Sequence, residues 1–202
     1  MTQPLMKPAP RFTYGDYRRW PDEERWELID GEAYDMCPAP SRSHQRWAGQ
    51  IYRQIADFLD DKPCEVYIAP FDVRLPEKDD EPDDKIKSVV QPDIVVVCDP
   101  AKLDEAGCRG APDWVIEVLS PGTARKDQIR KKRLYERHGV KEYWLAHPVD
   151  HILTRYLLED GRYAAPLIEE IGGTTPARTL PGLAIDWRFA EPEPSTVPVA
   201  HP

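Results

Sequence analysis

In the stretch QPDIVVV, residues 91–97, a proline and an aspartate directly precede an apolar run. The run from Ile94 to Val97 is typical of a buried strand. Pro92 cannot donate a hydrogen bond to a sheet ladder, so it belongs at an edge, a strand start or a bulge. Asp93, a carboxylate among valines, needs a partner, a metal ion or a proton. The stretch therefore predicts a strand with a candidate site at its start. There Pro92 either bends the chain so that Asp93 points out of the sheet or lies in an edge strand.

A second carboxylate, Glu117, interrupts a later apolar strand. In the segment DWVIEVLSP the large apolar side chains share one side and Glu117 lies on the other. If the two strands are neighbours, Asp93 and Glu117 project from one face. Two close carboxylates repel, so one takes up a proton or both bind a cation. Magnesium commonly uses one or two carboxylates with waters and a substrate phosphate. Pairing of each acid with a nearby arginine is the alternative.

The segment TARKDQIRKKRLYERHGV predicts a helix that Thr123 caps and Gly139 ends. Asp127, Lys131 and Tyr135 follow one another at four-residue intervals and therefore share a face. A lysine ammonium that faces two carboxylates can orient a water or stabilise a phosphate in the transition state. An ordinary ion pair on a solvated helix explains the same spacing.

The remaining segments predict an α/β or α+β fold around a mixed sheet. Asp30-Gly31 and Asp160-Gly161 each suit the turn of a hairpin. SRSHQRWAGQIYRQIADFLDD predicts a helix capped by Ser43. In PFDVRLP apolar residues alternate with Asp72 and Arg74, which indicates one buried face. We expect a flexible segment over residues 1–11, one domain over 12–190 and a Pro-rich tail over 191–202.

Several of these segments, taken in order, resemble the PD-(D/E)xK nuclease superfamily and, within it, the Uma-two group of restriction-endonuclease-like proteins. The ordered set is PD, EVLSP, DxxxK, Y and GVKEYW, and WELIDGEAYDMCPAPSRSHQ and APFDVRL are similar to the N-terminal half of that group. The resemblance covers residues 12 to about 187. It implies a restriction-endonuclease-like fold, with a mixed central β-sheet flanked by helices.

The resemblance also implies divalent-metal hydrolysis of phosphodiester bonds, with Asp93 and Glu117 as the metal-binding acids and Mg²⁺ or Mn²⁺ as the cofactor. The superfamily pattern places a lysine two residues after the second acid, but Leu119 stands there. The group resembled here takes its lysine from the following helix, which corresponds to Lys131. Lys126 and Lys132 remain rival candidates for the same role.

Four further residues are candidates for the site. Glu27 is either another metal carboxylate or one half of an ion pair within the first hairpin. His44 begins a helix on its buried face and is either structural or part of the site. Asp72 faces the site from a neighbouring strand, and Gln91 shares the strand face of Asp93 because it lies two residues away.

The composition limits the class of protein. The chain has 202 residues, 41% of them hydrophobic, with no apolar stretch long enough to span a membrane and no secretory signal, so we expect a cytoplasmic protein. The formal charge of −9 counts against nucleic-acid binding, although residues 125–137 form a basic block. The four cysteines form no CxxC pair, so we expect free thiols.

These observations leave three hypotheses. The chain is a metal-dependent endonuclease, with DNA as its substrate and a homodimer as the assembly that cuts both strands. Alternatively it is an inactive nucleic-acid-binding or regulatory protein on a nuclease fold, since a fold does not determine function. The third hypothesis is a structural protein whose carboxylates only pair with cations.

Overall fold

The structure is a computed structural model that describes residues 11–21, 24–36, 39–120, 122 and 124–191. Apart from Arg11 and Glu191, the expected N-terminal segment and Pro-rich tail lie outside the described residues, as do Cys37 and Thr123. The helices and strands in chain order are α1 (Tyr14–Tyr17), β1 (Trp26–Ile29), β2 (Glu32–Asp35), α2 (Arg42–Leu59), β3 (Glu65–Ile68), β4 (Val73–Arg74), β5 (Val89–Val90), β6 (Ile94–Val97), β7 (Leu103–Asp104), β8 (Gly107–Arg109), β9 (Trp114–Val118), α3 (Lys132–His138), β10 (Glu142–His147), β11 (Ile152–Glu159), β12 (Arg162–Tyr163), β13 (Leu167–Glu170), β14 (Thr174–Pro176) and β15 (Ala184–Asp186).

Two larger sheets carry the fold. The first has the strand order β2-β1-β5-β4-β8-β7, and the second has the order β12-β11-β10-β9-β6-β3, with β13 also paired to β11. In the second sheet β9 and β10 are parallel, whereas β6 is antiparallel to both β9 and β3. This mixed central sheet confirms the predicted α+β class.

Helices cover both faces of the central strands. Ile51 and Ile55 of α2 pack with Ile116 of β9 in one core cluster. Leu134 of α3 packs with Val115 of β9 in a second cluster on the opposite face. Because successive side chains of a strand point to opposite faces, a strand that is apolar throughout is buried on both sides. The predicted arrangement of a sheet flanked by helices is therefore confirmed.

The chain passes from the first sheet to the second at residues 91–93. Strand β5 ends at Val90 in the first sheet, and β6 begins at Ile94 in the second. Pro92 lies between them, so its missing N–H costs no ladder hydrogen bond. Asp93 directly follows this transition, and its carbonyl accepts a hydrogen bond from the N–H of Ala69 at 3.0 Å. The chain bends at Asp93, and Pro92 lies in the connection between two strands and not in an edge strand. That Pro92 aims Asp93 out of the sheet stays a prediction.

Both predicted hairpin turns form. Asp30 and Gly31 have φ values of 53° and 80°, and Asp160 and Gly161 have 50° and 77°. Two consecutive left-handed residues are what a tight turn of type I′ requires.

The predicted cap of α2 is off by two residues. Ser41 is the cap, because its backbone is extended and its side chain accepts a hydrogen bond from the N–H of His44 at 3.2 Å. Ser43 instead lies in the first turn of the helix. The shift keeps His44 in that turn, close to the start of β6.

The expectation of free thiols is wrong for one cysteine pair. Cys64 and Cys98 form a disulfide. Strands β3 and β6 pair with Glu65 opposite Val97, so the two cysteines immediately outside this pair also lie opposite each other, with Cα atoms 3.9 Å apart. Cys108 is free and buried.

The alternation expected around residues 71–75 is also wrong at one position. Arg74 was expected on the exposed face, but only 1% of it is accessible. Its guanidinium forms ion pairs with Asp83 and Asp104, which accounts for its burial. Asp83 belongs to the acidic segment 77–84, so this part of the segment is tied to the domain.

Among the described residues, no helix combines the length and the apolar character needed to cross a bilayer.

Candidate active site

Asp93 and Glu117 lie on neighbouring antiparallel strands. The β6–β9 register pairs Ile94 with Ile116, so Asp93, one residue before β6, lies opposite Glu117. The Asp93 N–H lies 3.3 Å from Glu117 Oε2, and the Val118 N–H donates to Asp93 Oδ2 at 2.7 Å. Each carboxylate therefore contacts the backbone of the other strand. The predicted adjacency of the two acids is confirmed.

Lys131 joins Glu117 from the helix that follows β9. Its Nζ lies 2.8 Å from Glu117 Oε1 and 3.5 Å from Asp127 Oδ1. The Tyr135 hydroxyl donates to the same Glu117 oxygen at 3.2 Å. All four side chains are buried. The predicted stripe of Asp127, Lys131 and Tyr135 therefore faces the second acid, and the solvated helix face is not what forms.

Glu27 is fully buried in β1 and forms ion pairs with two lysines. Lys131 Nζ lies 2.7 Å from Glu27 Oε1, and Lys126 Nζ lies 2.6 Å from Glu27 Oε2. The Gln91 N–H also donates to Glu27 Oε1 at 2.9 Å. The ion pair that was expected for Glu27 is therefore present, but its partners come from the segment after β9 and not from the first hairpin.

Lys126 reaches the cluster because the chain there is π-helical. The turn Lys126–Lys131 precedes α3 without a break. A π-helical turn aligns residues five apart, whereas an α-helix aligns residues three and four apart. Four-residue spacing therefore left Lys126 off the predicted stripe, although Lys126 was one of the two rival candidates for the lysine role. Lys132 points elsewhere, with its Nζ 3.1 Å from Glu136.

His44 lies beside the first acid. Its Nε2 is 3.1 Å from Asp93 Oδ2, and its Nδ1 is buried without a hydrogen-bond partner among the described residues. Burial by itself lowers the pKa of His44, but the hydrogen bond and charge of Asp93 outweigh it and raise the pKa. The structure brings His44 to the site, where it restricts the orientation of Asp93.

The cluster has more negative than positive charge. Glu27, Asp93, Glu117 and Asp127 supply four carboxylates, and Lys126 and Lys131 supply two ammonium groups. Burial raises the pKa of Glu117, Lys131 opposes this, and Asp127, Asp93 and Glu27 raise it further, so that it lies well above the ordinary value.

The pKa of Glu27, unlike that of Glu117, is lowered, because Glu27 has two lysine partners. Burial raises the pKa of Glu27, but the charges of Lys131 and Lys126 outweigh burial and lower it. Burial lowers the pKa of Lys131, but Glu117, Glu27 and Asp127 outweigh it and hold it well above its ordinary value. Ionised Glu27 and Lys131 therefore form the stable pair, and Glu117 is the acid that carries the unfavourable charge.

A divalent cation fits this arrangement. Among the described residues, no three Asp, Glu, His or Cys side chains are grouped so that they could hold a metal ion together. Magnesium, however, needs only one or two carboxylates when waters and phosphate complete its shell. Asp93 Oδ1 accepts no hydrogen bond within the described part of the chain, and a cation there would reduce the repulsion that opposes ionised Glu117.

Asp72 and Gln91 form a separate polar group. The Gln91 side chain donates to Asp72 Oδ1 at 2.8 Å and accepts from Arg25 at 2.9 Å, and the Tyr17 hydroxyl donates to the same Asp72 oxygen at 3.2 Å. The described contacts of these side chains do not include Asp93 or Glu117. Only the backbone of Gln91 joins the carboxylate cluster. The sequence analysis did not identify Tyr17 and Arg25, because no regular spacing in the chain links them to residues 72 and 91.

Three comparisons found proteins that are similar to this chain. A family model described as "Putative restriction endonuclease", Uma2, matches residues 14–188. The "Uncharacterized protein slr1290" of Synechocystis sp. is 26% identical over 140 residues, which are 68% of this chain and 69% of that protein. A crystal structure from Anabaena variabilis, described as a "putative nuclease belonging to DUF820", has a TM-score of 0.65 and 18% identity, and covers 82% of this chain and 89% of its own. At 18% identity the likeness concerns the fold alone.

Proposed function

The chain belongs to the Uma2 family, described as "Putative restriction endonuclease", and on that premise we propose that it is a Mg²⁺- or Mn²⁺-dependent endonuclease that hydrolyses phosphodiester bonds of DNA. The family description supports a nuclease function.

One observation carries the proposal. Asp93 and Glu117 meet across two neighbouring strands, and Lys131 binds the second acid from the helix that follows. Burial and like charges disfavour ionised Glu117, and acids with a strongly perturbed pKa are concentrated at functional sites.

The roles of the residues follow from these contacts. Asp93 and Glu117 would hold the metal ion, which when bound neutralises phosphate charge and lowers the pKa of a water. The Lys131 ammonium, beside Glu117, is positioned to stabilise charge on the phosphate or to orient the attacking water. Glu27 holds Lys131 in place through its 2.7 Å ion pair. His44 holds Asp93 through its contact with Oδ2.

A basic cleft supports a nucleic-acid substrate despite the acidic total charge. The cleft has a volume of about 690 Å³ and lies between the first hairpin and the segment that contains α3. Its cationic lining residues are Arg125, Lys126, Arg130, Arg133 and Arg137. Lys126 also contacts Glu27, so the cleft adjoins the carboxylate cluster. Phosphate affinity depends on such local positive charge. A homodimer would supply the two sites that are needed to cut both strands.

A second candidate function is an inactive nucleic-acid-binding protein. The observation that favours it is the engagement of Glu117 Oε1 by both Lys131 and Tyr135, which a stable structural cluster would also contain. The basic cleft would serve this function equally well.

The test is incubation with plasmid DNA, single-stranded DNA and RNA, each with Mg²⁺ and with Mn²⁺. The protein, Asp93→Asn and Asp99→Asn are compared, because Asp99 is an exposed aspartate near the other end of β6. We expect DNA cleavage by the protein and by Asp99→Asn, and none by Asp93→Asn.

Calorimetric titration with Mn²⁺ measures metal binding independently of DNA cleavage. Asp93→Asn and Glu117→Gln should each weaken binding, whereas Asp99→Asn should not. Unchanged affinity in both site variants would remove the proposed metal site. DNA binding without cleavage under every condition would favour the inactive binding protein.

A further inference from the structure

An aromatic cleft lies next to the carboxylate cluster and has no part in the proposed hydrolysis. Its volume is about 480 Å³. The rings of Tyr17, Trp20 and Trp26 line it, and Trp20 lies at the centre of this group, with its ring centroid 5.8 Å from that of Tyr17 and 5.7 Å from that of Trp26. All three side chains are only partly buried, so they present ring surface to the cleft.

The cleft also contains the polar group of Asp72 and Gln91. The Gln91 amide links Asp72 to Arg25, and the Tyr17 hydroxyl completes the group. Both contacts to Asp72 use Oδ1, and within the described residues Oδ2 accepts no hydrogen bond. Burial raises the pKa of Asp72, with Gln91 and Tyr17 opposing it in part. A carboxylate oxygen and a guanidinium are therefore available for hydrogen bonds to a ligand.

The position of Asp72 is held rigidly by its backbone. Its carbonyl accepts a hydrogen bond from the Cys108 N–H at 2.9 Å. Gly107, with φ of 118°, allows this approach, because a Cβ there would come within 2.2 Å of the Asp72 carbonyl oxygen. This contact positions the Asp72 backbone, and the hydrogen bonds from Gln91 and Tyr17 position its carboxylate, before any ligand binds, which lowers the entropic cost of binding.

Gln91 connects the cleft to the carboxylate cluster. Its side chain lies in the cleft, whereas its N–H binds Glu27, the partner of Lys131. Asp93 follows two residues later. A nucleic-acid strand whose phosphate lies at Asp93 and Glu117 therefore has the cleft within reach of a neighbouring nucleotide.

We propose that this cleft binds one unstacked nucleobase of the nucleic-acid strand, next to the phosphate that is cleaved. The proposal rests on the nuclease function proposed above and adds a base-binding subsite to it. Aromatic rings bind bases through their faces, and amide, carboxylate and guanidinium groups bind their edges. Trp20 and its neighbouring rings supply the faces, and Asp72 and Arg25 supply the edge contacts.

The test compares two single strands of about 12 nucleotides, a length within the range that single-strand sites cover. One strand is intact and the other has every base removed but keeps its phosphates. Fluorescence anisotropy measures both affinities in Ca²⁺, chosen to limit hydrolysis. We expect the protein to prefer the intact strand about tenfold, as loss of one base–aromatic stack implies.

Trp20→Ala should lose most of this preference and keep its affinity for the baseless strand, since the basic cleft is unchanged. Tyr52→Ala, which removes an aromatic ring on α2 away from the cleft, should retain the full preference. Thermal unfolding of each variant establishes that it is folded. Equal binding of both strands by the protein, or full preference in folded Trp20→Ala, would overturn the proposal.

Asp72→Asn tests the edge contacts without removing a ring. We expect it to remain folded, still to prefer intact strands, and to change the order of affinity among homopolymers of the four bases. An unchanged order would refute the role of Asp72. A protein that prefers intact strands but cleaves none in Mg²⁺ would retain the subsite and lose the nuclease function, so the two failures are distinguishable. Binding of neither strand would overturn both.

Discussion

Two charge clusters in this protein, each built around one buried charged side chain, have opposite electrostatic character. The Glu117 cluster consists of Glu27, Asp93, Glu117, Asp127, Lys126 and Lys131. The Arg74 cluster consists of Arg74, Arg109, Asp83 and Asp104, with one cation for each carboxylate. Burial lowers the pKa of Arg74, but Asp104 and Asp83 outweigh it and raise the pKa. In the Glu117 cluster, burial and neighbouring acids instead raise the pKa of Glu117 well above its usual range.

The difference separates a structural cluster from a candidate active site. In the Arg74 cluster the ionised forms of Arg74 and Asp104 stabilise each other, and the ion pair with Asp83 joins the acidic segment 77–84 to the first sheet. In the Glu117 cluster one charge is opposed by its surroundings. Opposed charges of this kind are concentrated at sites that bind a cation or react.

The largest expected effect is the loss of stability when the Arg74 cluster is broken. Arg74→Met should lower the free energy of unfolding by about 3 kcal/mol, the low end for a broken buried pair because Asp83 and Asp104 are partly exposed. Denaturation by urea measures this. Arg109→Met, whose cation is partly exposed, should cost less than about 1 kcal/mol. Equal losses in both variants would show that Arg74 does not anchor the cluster.

The next largest effect is the loss of catalysis when the Glu117 cluster is changed. Lys131→Met should reduce the single-turnover rate of DNA cleavage at saturating metal about a hundredfold or more, the loss expected for one transition-state donor. Lys132→Met, whose cation contacts Glu136, should cleave like the unsubstituted protein. Lys126→Met should fall between them, because Lys126 contacts Glu27 and not Glu117. Full activity in Lys131→Met with loss in Lys126→Met would transfer the role to Lys126.

A smaller effect concerns the charge of Glu117. Glu117→Gln should raise the free energy of unfolding at neutral pH by the order of 1 kcal/mol, because it removes a buried charge that its neighbours oppose. The pKa of Glu117 is raised in the folded state, so its ionisation destabilises the fold as pH rises above the ordinary value of 4.5. The advantage of the variant should therefore grow with pH above that value. A variant less stable than the parent at neutral pH would contradict the comparison.

The smallest effect is the pH dependence of the stability that Asp104 contributes in the Arg74 cluster. The Arg74 hydrogen bond lowers the pKa of Asp104. Its contribution is therefore present above the unfolded pKa and is lost as pH falls through the lower folded pKa. Asp104→Asn should cost roughly 0.5 kcal/mol at neutral pH, since the side chain is half exposed, and the difference should shrink as the pH falls below the ordinary Asp value of 3.8 and vanish only below the lower folded pKa. Chemical denaturation at several pH values measures it. A difference that persists in acid would show that charge is not its source.

The sequence predicted the elements of the site well where local rules apply. Asp93 and Glu117 were found because each interrupts an apolar strand, and Lys131 because it lies four residues from Asp127 and from Tyr135. Local rules failed for Lys126, because a π-helical turn does not follow α-helical spacing. They failed for Ser43 as well, because the position of a helix cap depends on which serine has an extended backbone.

Burial and pairing at long range were outside the reach of the sequence. Cys64 and Cys98 are 34 residues apart and meet only because β3 and β6 pair in one register. Arg74 is buried because Asp83 and Asp104 come to it from separate segments. The grouping of Tyr17, Arg25, Asp72 and Gln91 likewise depends on four segments that meet in space.

By itself, therefore, the sequence determined the α+β class, the two hairpin turns, the pair of acids and the lysine that faces them. Each of these depends on residues close in the chain or on the alternation of one strand, where backbone geometry limits the choices. Only the tertiary structure decided which cations neutralise which carboxylates and how many charges stay uncompensated. Those outcomes depend on the distance between segments and on burial, which determine the strength of every charge interaction and which the chain acquires only when its sheets and helices pack.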